Sequence, residues 1–294
     1  MRKTCQSSFT AKGDPDPAKL DDRAWLDAVF TADGRNVFAL ASSGYLPYRH
    51  NAPCAASGDR TACWYNGIVG LQSNDGGASF SYIARPPAQI LFGPPRQYSQ
   101  ATRNPPGYFW STNMVQQGGY GYVLIRRRSD AGASGTCAMR VQIGSWRRWQ
   151  YWNGSTFSNV TPADTGYNCT LLGDGDSFPA RGLYYHDRTK TWVAVYDSRA
   201  GGSPAGRGIY YRTSANLGTW SAPTLVSWLS TGPKGGSLPF SVAYPSLLDE
   251  RSSDRNFGHI GDRPTMLFMQ YVVSFGNGRP KPSRQLVAMP IAIR

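Results

Sequence analysis

The chain has 294 residues, room for one large β domain or two small ones. Hydrophobic residues (40%) are enough for a core, charged residues are scarce (17%), and Gly 33, Pro 21, Tyr 17 and Trp 9 favour many short strands and turns over helices. No apolar run is long enough to cross a membrane as a helix, so no membrane partner is expected. The net charge of +13 is carried mostly by arginine, which suits either a polyanionic partner or a solvated basic surface.

The N-terminal Met1-Arg2-Lys3 is followed by Thr4-Cys5-Gln6-Ser7-Ser8, with no apolar core of the signal-peptide kind. From residue 25 onward a unit recurs: an apolar strand, a tight turn, a second apolar strand, then a third. The first copy reads 25–30, turn 32–35, 36–40, then 66–71. The second reads 108–115, turn 117–119, 120–125, then 137–141. The third reads 180–185, turn 187–190, 191–196, then 208–212. The fourth reads 242–248, a longer loop, 265–271, then 285–289. In the first and third copies a turn and an aromatic-led fourth strand follow.

The turn of the first copy, Ser73-Asn74-Asp75-Gly76-Gly77-Ala78-Ser79-Phe80, resembles the Asp-box, Ser-x-Asp-x-Gly-x-x-aromatic, which joins two antiparallel strands of a β-propeller blade. Ser73 and Asp75 are suited to bond loop amides, the glycines to angles that a Cβ forbids, and Phe80 to bury its ring under the turn. Ser214-Ala215-Asn216-Leu217-Gly218-Thr219-Trp220 looks like a degraded version. Four strands per unit at this spacing predict an all-β fold, a β-propeller. Four blades are visible, starting near 25, 109, 178 and 242. Residues 1–294 are expected to form one propeller domain, with 1–20 a remnant or edge of a preceding blade.

Five cysteines without a Cys-x-x-Cys argue against a zinc ribbon. Cys54 and Cys63 bracket a polar loop, and Cys137 and Cys169 flank an aromatic segment. Two disulfides, 54–63 and 137–169, are expected, and with them an oxidising, secreted or periplasmic location; buried free thiols are the alternative. Cys5 is left over, its partner open.

The segments at 24–34, Cys63-Trp64-Tyr65-Asn66 with the turn after it, Ser111-Thr112-Asn113-Met114-Val115 and Tyr244-Pro245-Ser246-Leu247-Leu248-Asp249 resemble the five-bladed propeller glycosidases of the invertase/levansucrase and arabinanase type and their secreted bacterial relatives. The resemblance implies a five-bladed propeller with its first blade incomplete; a ring closed from the four visible blades is the alternative. It also implies carboxylates at the starts of the innermost strands, around the axis: one to activate water or attack the sugar, one to protonate the leaving oxygen. Those positions here hold Asp27, Asn113, Arg181 and Ser246. Where relatives carry a His–Asn–Glu-Tyr-like run, this chain reads Ser42-Ser43-Gly44-Tyr45. A complete catalytic pair therefore does not carry over.

The catalytic candidates are Asp27, Asp197 and Asp249; each is equally a strand-end or turn aspartate. Glu250, the only glutamate, sits in a polar run with Arg251, Ser252, Ser253 and Asp254 and reads as a solvated loop. Asn66 and Asn113 are candidates to bond sugar hydroxyls, Arg181 to clamp an acidic group, and Trp64, Tyr65, Trp110 and Tyr244 to stack on a sugar ring. His50, His186 and His259 lack metal-ligand spacing, and Gly173-Asp174-Gly175-Asp176 falls short of a calcium loop, so no metal or cofactor is expected. Arg126-Arg127-Arg128 is the one dense basic run and has no nucleic-acid motif around it, so nucleic acid is not expected as a partner.

Three functions stay open: a glycoside hydrolase acting through a central axial pocket on an extracellular poly- or oligosaccharide, neutral or anionic, a non-catalytic carbohydrate-binding propeller that uses the same pocket, and a protein-interaction platform. The platform is preferred if Asp27, Asn66, Asn113 and Arg181 do not converge. A sialidase needs three arginines and a Tyr–Glu pair at one pocket, which a single loop glutamate does not offer. Oligomeric state is not legible.

Overall fold

A computed structural model describes residues 7–54, 63–101, 106–128, 133–160, 169–173, 178–198, 208–228, 240–276 and 279–293. Cys5, Asn168, Asp174 and Asp176 lie outside the described residues. The chain divides into two compact units, Met1–Leu171 and Leu172–Arg294.

The first unit carries two sheets. In one, β1 (Arg23–Thr31), β2 (Val37–Tyr45), β3 (Tyr65–Ser73) and β4 (Ser81–Tyr82) follow one another as an antiparallel meander, and β5 (Ile90–Phe92) also pairs with β3. In the other, β6 (Gly107–Ser111) and β7 (Val115–Gln117) both pair with β8 (Tyr120–Arg128), which leads to β9 (Ser134–Gln142), β10 (Trp149–Trp152) and β11 (Phe157–Asn159). The strand expected over 108–115 is thus broken at Thr112–Met114, where the Thr112 amide and hydroxyl both bond the backbone of Leu124.

The second unit carries the other two sheets. The first runs β12 (Gly182–His186), β13 (Thr191–Ser198), β14 (Gly208–Ser214), β15 (Thr224–Trp228). The second runs β16 (Phe240–Leu248), β18 (Thr265–Gly276), β19 (Arg279–Pro290), while β17 (His259–Ile260) pairs in parallel with β12. Arg181, expected to open the first strand of the third blade, sits one residue before β12 and donates its amide to the Val195 carbonyl. Four blade-like sheets are present among the described residues, and the fold class is an all-β propeller.

Burial explains this sequence pattern. Every residue of β2 is buried, as expected of a strand covered on both faces. Phe30, Phe38, Leu40, Phe92, Tyr108, Met114, Ile125, Met139 and Trp149 form one core between the two sheets of the first unit. The Cys137–Cys169 disulfide borders that core, and Cys54–Cys63 closes the loop before β3, as the cysteine spacing predicts. Tyr184, Val193, Val195, Ile209, Val242, Leu247 and Met266 form the core of the second unit.

The two sequence-predicted turns share one chemistry. Between β3 and β4, Ser73 Oγ accepts from the Gly77 amide at 2.9 Å and Asp75 Oδ1 from the Ser79 amide at 3.0 Å. Between β14 and β15, Ser214 Oγ accepts from Leu217 at 2.9 Å and Asn216 Oδ1 from Thr219 at 3.0 Å. Gly76 and Gly77 adopt φ of +72° and +87°, where a Cβ is strained. Hydrogen bonds donated by the Ser73 and Ser79 hydroxyls and the Ser79 amide hold the Asp75 carboxyl far below the usual aspartate range.

Candidate functional site

Three of the four first strands contain a β-bulge, and each bulge displays a side chain of interest. On β1 the register slips between Leu26 and Ala28, which leaves Asp27 as the extra residue. On β6 it slips between Tyr108 and Trp110, at Phe109. On β16 it slips between Ala243 and Ser246, at Tyr244-Pro245. A bulge frees one residue from the ladder and re-aims its side chain, which is why bulges gather beside functional sites.

In the first unit Asp27 is held from two sheets. Its Oδ1 accepts from Ser42 Oγ on β2 at 3.3 Å, and its Oδ2 accepts from the Ser111 amide on β6 at 3.2 Å. Beside it runs a chain of aromatic and guanidinium groups. The Arg23 guanidinium lies 4.5 Å from the Trp25 ring centre, and Trp25 meets Trp64 at 5.8 Å. Trp64 meets Phe109 edge-on at 5.8 Å, and Arg128 covers Phe109 at 4.8 Å. Arg126 lies 5.9 Å from the Trp110 ring. The basic run at 126–128 is therefore absorbed in part by the aromatic residues of β6 opposite it. Trp25 and Leu26 are exposed on β1, so the chain of rings has an open side.

Glycines make room for this cluster. A Cβ on Gly44 of β2 would overlap Trp64 Nε1 and crowd Asn66 Oδ1, and one on Gly107 would overlap the Asn66 carbonyl. Asn66 is buried, and its Nδ2 donates to the Tyr108 carbonyl of the neighbouring sheet. Its Oδ1, Trp64 Nε1 and Ser111 Oγ are buried without a hydrogen-bond partner among the described residues. Such groups are rare enough in native proteins to need a reason.

Asp27, Trp64, Asn66 and Trp110 come together in the first unit. Asn113 is half-buried in the break between β6 and β7, where its carbonyl accepts from Thr112 Oγ1 at 3.0 Å. Tyr65 turns into the core beside Leu20 and Val69 and donates its hydroxyl to the Arg96 carbonyl at 2.7 Å, and burial pushes that phenol up to about 12.

In the second unit Arg181 Nε lies 3.2 Å from Asp197 Oδ1, with the Asp197 side chain 1% exposed. The same guanidinium lies 5.9 Å from the ring of Tyr244, an exposed residue held at φ +58° by the β16 bulge. A non-glycine residue at positive φ is strained, and strain of this kind collects at functional positions. Asp249 is not part of this group of contacts. It closes the loop after β16, accepting the Gly261 amide at 2.8 Å and the Arg251 amide at 3.0 Å. Burial pushes its carboxyl up, but the two amides and the Arg251 charge outweigh that and hold it below the ordinary value.

Sequence reasoning missed Trp25, Phe109, Ser42, Ser111, Arg126 and Arg128. Trp25 stands two residues before Asp27 on the same strand, near enough in sequence to have been named beside it. The partners on β2, β6 and β8 depend on register and had no local signal.

No protein-family model matches the sequence, and no curated protein is significantly similar to it. Solved structures do resemble it. An α-L-arabinofuranosidase from Lactobacillus brevis superposes with a TM-score of 0.51 at 10% identity, covering 94% of this chain and 75% of that one. A β-1,2-mannobiose phosphorylase from Listeria innocua, solved with β-1,2-mannobiose, gives 0.50 at 9% identity over 99% of this chain and 80% of that one. At such identity the likeness is one of fold: a glycoside hydrolase-like β-propeller.

Proposed function

We propose that the protein is a glycoside hydrolase acting on an extracellular poly- or oligosaccharide, with Asp27 as the carboxylate at the reacting sugar. The observation that carries this reading is the β1 bulge that takes Asp27 out of its ladder and fixes it with donors from two sheets, beside an open row of Trp and Phe rings. Aromatic faces and a hydrogen-bonded carboxylate are the groups needed to seat a sugar and to act on its anomeric carbon. An acceptor oriented by a hydroxyl and an amide suits the role of base, nucleophile or charge stabiliser better than that of proton donor.

Sugar ligands are the natural partner class for this fold, as the mannobiose-bound phosphorylase illustrates. The finer form of the proposal is the five-bladed arabinanase or invertase type with an incomplete first blade and a pocket on the propeller axis. In it Asn66, Asn113, Trp64, Tyr65 and Trp110 are substrate-side candidates, and Arg181 and Tyr244 are candidates to engage an acidic or ring group. The turn at residues 73–80 serves as its Asp-box. The two disulfides fit an extracellular protein.

A second reading is favoured by what surrounds the other two aspartates. Asp197 is engaged by Arg181 and Asp249 by its own loop, so neither offers the loosely held carboxyl expected of a proton donor. On this reading the protein binds carbohydrate without cleaving it. Reducing-end release from a panel of neutral and anionic polysaccharides, with Asp27→Asn in parallel, separates the two. Release that disappears in Asp27→Asn supports hydrolysis through Asp27. Release that survives the substitution removes Asp27 from the mechanism, and saturable binding without release assigns the protein to the binding class.

A further inference from the structure

We propose a second glycan-binding site on the first unit, at the opposite end of β1 from the Trp25 cluster, built for an oligosaccharide that carries acidic groups. Ala32, in the wall of this site, stands seven positions after Trp25, roughly 20 Å along a strand, so one sugar ring cannot occupy both places. The site does not need Asp27 to be catalytic.

Two hollows form it. One, of about 460 Å³, lies among the β1–β2 turn, the β3–β4 turn and the turn before β10. The other, of about 600 Å³, lies between residues 7–12 and the segment after β4. Phe80 and Ser81 line both, so the two hollows adjoin at the start of β4. Each is of the size that seats a small ligand. Two adjoining hollows with a shared wall suit a chain of sugars better than a compact molecule.

The wall chemistry fits a sugar. Trp146 stacks flat on buried Phe38, ring centres 4.5 Å apart and planes 4° apart, which locks the indole in place as part of the first hollow. With Phe80 it gives aromatic surface for the C–H face of a pyranose. Gln72, Asn74 and Ser81 line the same hollow from exposed positions. An amide offers both donor and acceptor, the pairing that vicinal hydroxyls require. Asp33 also borders it, but its oxygens are taken up by the Arg35 and Asn36 amides and the Asn36 side chain. The second hollow supplies the charge. Lys12 and Arg85 line it from exposed positions, none of its described wall residues is acidic, and the adjoining Asp21 carboxylate is buried and takes up the Tyr82 hydroxyl and the Lys12 amide. An arginine and a lysine in a wall free of acids select a carboxylate or sulfate group. The net charge of +13 adds long-range attraction for such a chain.

The test is calorimetric titration of the full chain carrying Asp27→Asn. The probes are an oligogalacturonate, its carboxyl-reduced neutral counterpart, and a sulfated oligosaccharide of similar length. The expected result is saturable binding of at least one anionic oligomer. Gln72→Ala with Asn74→Ala should weaken it at least tenfold. Lys12→Ala with Arg85→Ala should weaken the anionic oligomers at least tenfold while leaving the neutral counterpart's affinity unchanged. These four side chains are exposed, so thermal stability should hold, and Trp146→Phe probes the ring wall while keeping an aromatic on Phe38. Unchanged affinity in both double variants, or no binding of any oligomer, overturns the proposal. Release of reducing ends is read separately with Asp27 intact, so failure of hydrolysis counts against Asp27 and not against this site.

Discussion

Gly44→Ala is a sharp test of how the aromatic cluster is seated. Gly44 pairs with Arg23 on one side and Asn66 on the other, in ordinary strand geometry, so alanine meets no backbone strain. Less freedom in the unfolded chain would by itself stabilise by about 0.4–1 kcal/mol. Against this, the new methyl overlaps Trp64 Nε1, lies 2.5 Å from Asn66 Oδ1 and 3.0 Å from Trp64 Cδ1. Overpacking of this kind costs about 1–3 kcal/mol. If Asn66 moves, its Nδ2 loses the Tyr108 carbonyl in a buried place, which adds about 1–3 kcal/mol. The steric terms win, and the net is about 2–3 kcal/mol of destabilisation. For a unit of this size that lowers the melting temperature by roughly 5–10 °C.

The assay is thermal unfolding followed by near-ultraviolet circular dichroism, which reports the altered Trp25–Trp64–Phe109 packing directly. Gly93→Ala is the control: its methyl meets only Ile90 Cγ2, at 3.4 Å, and should stay within about 0.5 kcal/mol of the parent. A Gly44→Ala protein with the parent's melting temperature and dichroism would show that the cluster is not tightly seated, and would remove the basis for a preformed sugar platform on β1.

Three further outcomes follow from the geometry. Arg181→Ala leaves the buried Asp197 carboxylate without its guanidinium and should destabilise by about 3 kcal/mol in chemical denaturation, more than Asp197→Asn, which removes the charge itself. Replacing Cys137 and Cys169 by alanine opens a loop of sequence separation 32 and should cost about 4 kcal/mol by chain entropy, against about 2.5 kcal/mol for the Cys54–Cys63 loop of separation 9; urea titration of the two variants ranks them. Because the folded Asp249 carboxyl is held below its ordinary value, the stability it supplies is complete above the unfolded value near pH 4 and is lost as pH falls further, so Asp249→Asn should show a shallower loss of melting temperature below about pH 4 than the parent.

The fold was legible where the signal is local. The four first strands, the turns at residues 73–80 and 214–220 and both disulfides follow from alternation, turn chemistry and cysteine spacing within short windows. The break after β6 was not legible, because Thr112 leaves the ladder by bonding Leu124, twelve residues away. The site was legible only in part. Asp27 stood out as an acid on an apolar strand, but the bulge that frees it is a register shift against β2 and leaves no mark in β1 itself. Tyr65 looked like a platform beside Trp64, yet adjacent strand residues point to opposite faces, and the phenol goes to the core while the indole goes to the cluster. Arg126-Arg127-Arg128 looked like a charge run and is a strand whose first and third residues lie over the rings of β6.

Where the other aspartates sit sharpens the case for Asp27. Asp21 accepts from Tyr82 and the Lys12 amide, and Asp22 from the Leu46 amide beside His50 and Arg49. Asp33 and Asp75 close turns, Asp187 meets His259, Asp254 holds the Gly258 and His259 amides, and Asp262 pairs with Arg188. Apart from Asp21, which ties Tyr82 of β4 to the Lys12 amide, each of these belongs to one loop or one group of ion pairs. Asp27 differs in kind, because its two named donors come from different sheets and from strands that need no cap. A structural aspartate at a strand edge would satisfy its own turn. An aspartate freed by a bulge and oriented by two sheets is fixed relative to both, and that rigidity is what the role proposed for Asp27 requires.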